Sequence, residues 1–426
     1  MKKRRVVVTG LGVVSPNGRD VPSFLDGLRN GTSGLAFMPE FEQLKYLCQV
    51  TGRPAFDWGH LQDFIPEVTF HGLRGMGIGY GLQAAIEAWT DAGLTIDTES
   101  PRWDTGIVFG NSTADSALMS NVMQKVDALE VKKLGSRVVE QTMNSGVTAY
   151  ITGRLGLAGK TVTNSAACAT GTQAILMGYE YIAHGLANRM VTGSTEYVDT
   201  YIFGAFDAMR VLSRKFNREP QRASRPMSQT AGGFVPSSGA GTLILEDLDT
   251  ALARGARIYA ELKGGATNSG GQRGGGSMTS PNSEGVIRCI TEALRSTATD
   301  PASIDLISGH LTATLGDLPE IQNWILALDR KEANFPWVNS LKSMIGHCLS
   351  AAGSIESVAT ILQIYHQFVH PTINLEDPNP EIVKRIDINR IPTTSRAARV
   401  DTVAKANFGF GDVNACLIFT KWNEHG

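Results

Sequence analysis

Cysteine is scarce in this chain: five residues in 426, at Cys48, Cys168, Cys289, Cys348 and Cys416. They are odd in number, far apart and without a Cys-x-x-Cys pair, so neither a disulfide framework nor a structural zinc site is indicated. A reducing cytoplasm fits that usage. An excess of one charge is also missing. Lys plus Arg number 39 and Asp plus Glu 41, a net charge of −2. That balance excludes a long-range pull on nucleic acid or an anionic membrane. No apolar run reaches the ~18 residues of a bilayer-spanning helix. The start, Met1-Lys2-Lys3-Arg4-Arg5-Val6-Val7-Val8, imitates a secretion signal. Thr9, Gly10 and Gly12 cut its apolar run and no small-residue cleavage site precedes Pro16, so a buried first strand is expected. Low complexity is confined to Gly264–Gly276, with seven glycines. It lacks the Lys-Ser/Thr that closes a phosphate loop and reads as a mobile surface loop. Gly10-Leu11-Gly12 is no dinucleotide fingerprint, because Ser15 stands where the third glycine belongs and Pro16 follows.

What is present is enough apolar sequence, 42%, for two or three core-sized units. Short Val/Ile-rich runs read as strands at Val6–Val8, Thr105–Phe109, Thr161–Asn164, Met190–Thr192, Gly241–Glu246, Ile258–Leu262, Asp305–Ser308, Phe335–Val338 and Leu417–Thr420. Helical patterns lie between them at Met76–Ala92, Ala169–His184, Glu284–Arg295 and Ser350–His366. This alternation defines an α/β protein with helices on both sides of its sheets. One internal echo stands out. Val162-Thr163-Asn164-Ser165 leads to Cys168 and a helix; Val338-Asn339-Ser340 leads to Lys342, His347 and a helix. Two copies of one unit, residues 1–250 and 251–426, would bring those reactive groups together at a pseudo-twofold axis.

Four segments carry candidate chemistry. Asn164-Ser165-Ala166-Ala167-Cys168-Ala169-Thr170-Gly171 sets Cys168 at a helix start, where free N–H groups and the macrodipole favour an anion. A free thiol of pKa ~8.5 is only about 3% ionised at pH 7, and a pKa ~2 lower, about 2.7 kcal/mol, makes the thiolate the major form. The alternative is a small buried cysteine packing a crowded helix start. Gly309-His310-Leu311-Thr312-Ala313-Thr314 follows a strand, at the end where α/β sites lie. Thr312 and Thr314 share one side if the segment stays extended; otherwise His310 is a histidine satisfied by local backbone. Lys342-Ser343-Met344-Ile345-Gly346-His347 opens the next helix. A buried Lys342 needs an anion, with Asp317 and Glu320 as candidates and Glu320 preferred; an unburied one reaches solvent. Asn407-Phe408-Gly409-Phe410-Gly411-Asp412-Val413-Asn414 gives flexible backbone beside bulky rings, with N–H groups able to face a reacting oxygen. A plain loop is the alternative there.

In this order and spacing the four segments resemble the elongating β-ketoacyl-acyl-carrier-protein synthases, types I and II, of the thiolase superfamily. The resemblance runs from Val6-Val7-Val8-Thr9-Gly10-Leu11-Gly12 to Leu417 and takes in Ala223-Ser224-Arg225-Pro226 and Gly239-Ala240-Gly241. It implies a five-layer α-β-α-β-α fold of duplicated halves, usually a homodimer, with a heterodimer as the other form. It implies that Cys168 takes an acyl chain from a carrier-protein thioester. His310 and His347 then promote malonyl decarboxylation and stabilise the enolate. Backbone N–H groups of Cys168 and Phe410 would form the oxyanion hole, and the Phe410 ring would gate the acyl pocket. Lys342 with Glu320 would hold the histidine region, while Thr312 and Thr314 would contact the phosphopantetheine arm. The implied cycle is ping-pong, without a metal or a permanently bound cofactor, on substrates carried by the phosphopantetheine of an acyl carrier protein. Such a partner is typically acidic. Arg214, Lys215, Arg218 and Arg222 make a locally basic stretch to meet it, extended by Lys132, Lys133 and Arg137; a solvated loop is the alternative.

The chain departs from the family around these groups. His-Gly-Thr-(Gly/Ser)-Thr-Pro is here His310-Leu311-Thr312-Ala313-Thr314-Leu315, and Phe-Gly-Phe-Gly-Gly-Thr-Asn is Phe408-Gly409-Phe410-Gly411-Asp412-Val413-Asn414. The acidic stretch after Arg-Pro is Met227–Gly233, and Gly-(Asp/Glu)-Gly-Ala-Gly is Ser237-Ser238-Gly239-Ala240-Gly241. The reactive groups are spared, which points to a specialised fatty acid or polyketide-like chain. A coenzyme A thiolase needs a second catalytic cysteine near the C-terminal end, and Cys416 falls inside the last strand. The Lys342–His347 motif disfavours a three-carbon-starter synthase of the Cys-His-Asn kind. A non-catalytic chain-length partner typically lacks the nucleophile, and Cys168 is retained.

Overall fold

Ten strands form the frame of the computed structural model, which describes residues 3–113 and 115–423. Met1 and Lys2 of the signal-like start lie outside the described residues. The first five strands are β1 (Val6–Val14), β2 (Thr105–Gly110), β3 (Thr161–Val162), β4 (Arg189–Glu196) and β5 (Gly239–Asp247). The second five are β6 (Ala260–Ser269), β7 (Leu306–Ser308), β8 (Trp337–Asn339), β9 (Thr402–Gly409) and β10 (Val413–Thr420). The principal helices are α1 (Met76–Asp91), α2 (Ser116–Asp127), α3 (Gly146–Leu155), α4 (Thr170–Ala183), α5 (Ser283–Ser296), α6 (Asp317–Leu328) and α7 (Ala352–His366).

The hydrogen-bonded order is β8-β7-β9-β10-β6-β1-β5-β4-β2-β3. Read outward from the β1/β6 centre, each half runs first, fifth, fourth, second, third strand. The directions repeat as well. β2 is parallel to β3 and β4, as β7 is to β8 and β9, and the other neighbours are antiparallel. β1 and β6 join the halves over Val6↔Leu262, Val7↔Glu261 and Val8↔Ala260. The unit is therefore present twice, as the echo around Cys168 and His347 suggested.

Layering follows from which faces are apolar. α1 packs on β1, β5 and β4, with α3 beside it; α5 packs on β6 and β10, with α6 beside it. α4 and α7 lie between the halves and touch strands of both. The outer helix α5 turns only Val286, Cys289, Ile290, Ala293 and Leu294 of its larger side chains inward, at helical spacing. In α7 every residue from Ala352 to Ile364 is buried, as a middle layer requires. The two central helices cross where both are glycine. A Cβ on Gly171 would stand 2.5 Å from the backbone nitrogen of Ser354, and one on Gly353 would stand 2.5 Å from that of Thr172. No side chain fits at that crossing.

One strand goes unread in the sequence, one open alternative closes, and one expectation fails. β9 carries no clear strand signal, because Lys405 and Asn407 interrupt its apolar run. The Phe-Gly-Phe-Gly segment is no loose loop: it ends β9, turns, and enters β10, with Gly409 paired to Val413. Likewise Gly264–Ser269 belongs to β6, leaving only residues 270–276 as a loop. A side chain on Gly265 would strike the Cys416 carbonyl oxygen of β10.

Candidate active site

After β3 the chain makes a single 3₁₀ turn, Ala167–Ala169, and enters α4. Ala167 holds φ +46°, in the left-handed region. The second half repeats the device: the 3₁₀ turn Leu349–Ala351 leads into α7, and Leu349 also has φ +46°. Cys168 and Ser350 thus occupy matching places. His347 sits just before the second turn, its backbone N–H donating to Val235 O at 2.7 Å. His310 follows β7, tied by backbone N–H donation from His310 and Leu311 to the two oxygens of Glu320, each at 2.7 Å.

These three elements converge. Sγ of Cys168 and a ring nitrogen from each of His310 and His347 lie within 4.8 Å of one another. Both histidines are buried and Cys168 is half-buried. The imidazoles meet edge to face at 5.2 Å, and Phe234 stands 5.5 Å from His347. Gly409 closes on the cysteine turn, where a Cβ would come within 3.1 Å of the Cys168 nitrogen. The Phe410 N–H faces the cysteine sulfur. Its ring lies 6.3 Å from that of Phe206.

The electrostatics correct one expectation. Burial pushes the Cys168 thiol up to about 11, against the opposing pull of the Phe410 N–H and the Lys342 charge. The sequence led to a thiol readily ionised by the helix start; desolvation outweighs that field, and the resting group is protonated at pH 7. Burial, with Lys342 nearby, also holds His347 down at about 3 and His310 well below its ordinary value. Both imidazoles are therefore neutral. Leu349 N–H donates to Nδ1 of His347 at 3.2 Å, so the ring proton sits on Nε2. That Nε2 is buried without a partner. It is an N–H donor waiting for an acceptor.

The partner expected for Lys342 is also corrected. Its ammonium pairs with Glu356 on α7, not with Glu320 or Asp317. Glu320 is occupied with the His310 backbone, and Asp317 accepts from Thr312 N at 2.8 Å and Met227 N at 2.7 Å. Lys405 on β9 reaches the other Glu356 oxygen at 2.7 Å. Burial would raise Glu356, yet Lys342 and Lys405 together hold it down at about 2. Asn407 completes the group, donating from Nδ2 to Glu356 at 3.0 Å and facing Nδ1 of His310 at 3.0 Å. Sequence reasoning missed Glu356 and Lys405 altogether. A single charge in an otherwise apolar helix was the signal for Glu356.

Thr312 and Thr314 do share a side, their hydroxyls 2.9 Å apart, although Ala313 at φ +64° turns the segment out of extended form. In the basic stretch Arg218 pairs with Glu42 and Arg222 with Glu219, while Arg214 and Lys215 are exposed. Cys416 is buried inside β10 and is not part of the Cys168–His310–His347 cluster, so the thiolase alternative loses its second cysteine.

Duplicated halves with a cysteine from one and two histidines from the other define a condensing enzyme of the thiolase-like fold. Residues 3–251 match the N-terminal domain of the β-ketoacyl synthases and residues 259–376 match their C-terminal domain. The chain belongs to the β-ketoacyl synthase family. It is 34% identical to 3-oxoacyl-[acyl-carrier-protein] synthase 2 of Vibrio harveyi, over 100% of both chains. It is also 34% identical to 3-oxoacyl-[acyl-carrier-protein] synthase 1 of Haemophilus influenzae, over 99% of this chain and 100% of the relative. A β-ketoacyl synthase of Burkholderia phymatum superposes with a TM-score of 0.90 at 29% identity, covering 99% of this chain and 100% of the other. A type II polyketide ketosynthase, solved bound to the hexaketide and with its acyl-carrier protein, gives 0.87 at 30% identity with the same coverage. The protein is accordingly an acyltransferase that condenses an acyl chain with malonyl-acyl carrier protein. Among the described residues no helix is long and apolar enough to cross a membrane.

Proposed function

We propose that Cys168 carries the acyl chain and that His310 and His347 drive the decarboxylative half of the cycle. The convergence of those three side chains within 4.8 Å carries this reading. In the first stage Sγ attacks the carrier thioester; the carbon–sulfur bond to the carrier breaks, and the thiol proton ends on the departing carrier thiol. That exchange is proton-neutral overall, so it does not require a thiolate at rest. The Phe410 N–H, with that of Cys168, stabilises the tetrahedral oxyanion. In the second stage the malonyl thioester loses carbon dioxide, and the electron pair of the broken bond becomes an enolate. Neutral Nε2–H donors from the two histidines stabilise its oxygen without losing a proton. The enolate carbon attacks the acyl carbonyl and expels the Cys168 sulfur, which takes up one proton from solvent, and leaves a β-ketoacyl chain on the carrier.

Lys342, with Glu356 in place of Glu320, braces the histidines, while Glu320 holds the His310 backbone. Thr312 and Thr314 contact the phosphopantetheine arm, and the Phe410 ring gates the acyl chain against Phe206. Arg214 and Lys215, with Arg218 and Arg222 behind them, dock the acidic carrier protein. The halves meet near residue 250. A second copy of the chain covers α2 and the segment after it, where Met123, Val126, Leu129, Val131 and Val139 are exposed. The substrate is a specialised fatty acid or polyketide-like chain, as the altered segments around the site suggest. Five free cysteines suit a reducing cytoplasm. Intact-mass analysis after incubation with a panel of acyl-carrier proteins tests the reading. An acyl adduct lost in Cys168→Ala supports it; adducts that persist in that variant, or none with any carrier, count against it.

A further inference from the structure

We propose that Asn407, oriented by Lys405, is a positioning residue that sets the tautomer of His310. The inference rests on the reading of His310 as an enolate-stabilising donor. Asn407 Oδ1 faces Lys405 Nζ at 2.6 Å and Thr172 Oγ1 at 2.5 Å. An ammonium only donates, so the atom that meets it must be the carbonyl oxygen. The amide nitrogen is then the end that faces Glu356 Oε2 and His310 Nδ1, each at 3.0 Å. A carboxylate only accepts, so Lys405 and Glu356 pin the amide from opposite ends. Nδ1 of His310 therefore receives a hydrogen bond and carries no proton. The ring proton is left on Nε2, the same state that the Leu349 N–H imposes on His347.

The arrangement lies wholly in the interior. Lys405 and Asn407 are each 0% exposed and belong to β9, where polar side chains have no packing advantage. Lys405 further anchors itself on the Ala406 carbonyl at 2.8 Å. One strand thus supplies a cation and an amide spaced to act in series on one imidazole. With the amide in place both histidines present N–H groups; with Asp there instead, its oxygen shares a proton with the facing Glu356 carboxylate and accepts from Nδ1–H of His310, so Nε2 offers a lone pair, which repels an enolate oxygen.

The test uses full-length protein with ¹⁵N-labelled histidine, the His310 signals being assigned with His310→Gln. Wild type should show a protonated Nε2 and a bare Nδ1. Asn407→Asp should reverse the two, and Asn407→Leu should leave a mixture. Loss of one donor should lower malonyl-carrier decarboxylation by about 100-fold in Asn407→Asp. Acyl transfer to Cys168 should change far less. Should the Asp variant fail to fold, the Leu variant carries the comparison. A wild-type His310 protonated on Nδ1 overturns the proposal, as does an unchanged tautomer in the folded variants. The tautomer is read without turnover, so an inactive wild type would sink the functional reading alone.

Discussion

Replacing Glu356 by Gln removes one charge and almost no volume from the most deeply buried ionic group of the site. In the native protein that carboxylate meets Lys342, Lys405 and the Asn407 amide. Two independent routes give the cost. Its carboxyl is held at about 2 against an ordinary 4.5, which converts to roughly 3 kcal/mol. Breaking a buried pair so that a cation is left alone costs about 3–5 kcal/mol. An unfolding entropy of about 2.1 cal/mol/K per residue over 426 residues gives about 0.9 kcal/mol/K. A loss of about 4 kcal/mol then lowers Tm by roughly 4 °C. The pH dependence supplies the signature. A carboxyl with a depressed folded pKa stabilises fully above its unfolded value and loses that contribution as pH falls through the folded one. The gap between wild type and Glu356→Gln should be constant from pH 7 to about 4.5 and should close toward pH 2. Calorimetry or dichroism melts across that range measure it. A gap near zero at pH 7, or one that widens in acid, refutes the claim that this carboxylate is the counterion of two lysines.

Iodoacetamide labelling of Cys168 should accelerate about tenfold per pH unit from 7 toward 10, because only thiolate reacts and half-ionisation lies near about 11; a plateau by pH 8 would mean that the helix start dominates after all. Gly353→Ala places a Cβ 2.5 Å from the Thr172 nitrogen at the crossing of α4 and α7, and a loss of about 3 kcal/mol or more should appear in urea unfolding; unchanged stability would show that the helices can part. Arg214→Glu with Lys215→Glu should raise KM for the carrier-bound substrate about tenfold, and less so in high salt, with kcat on a small soluble thioester unaltered; equal losses on both substrates would place the effect elsewhere.

The frame and the segments that converge were legible in the sequence because their signals are local. Continuous apolar runs mark strands covered on both faces, and the repeated Asn-Ser before a reactive side chain betrayed the duplication around Cys168 and His347. What escaped was the part held by distant pairs. Thr402–Gly409 does not read as a strand, since Lys405 and Asn407 break its pattern; they are tolerated inside only because Glu356, about fifty residues earlier, meets them. Glu356 in turn looks like a surface residue until α7 is seen to be buried all round. The Lys342 pairing failed because Glu320 is already engaged by the His310 and Leu311 backbone, which the sequence does not show. The thiol pKa failed because helix-start electrostatics can be read from sequence, whereas the depth of burial cannot.

The most direct test of the shared site separates its two stages. Enzyme loaded with an acyl group on Cys168 is mixed with malonyl-carrier protein, and released carbon dioxide is counted for wild type, His310→Ala and His347→Ala. Both variants should still accept the acyl group while carbon dioxide release falls by about 100-fold or more. Full release by either variant would contradict the joint role assigned to the two imidazoles.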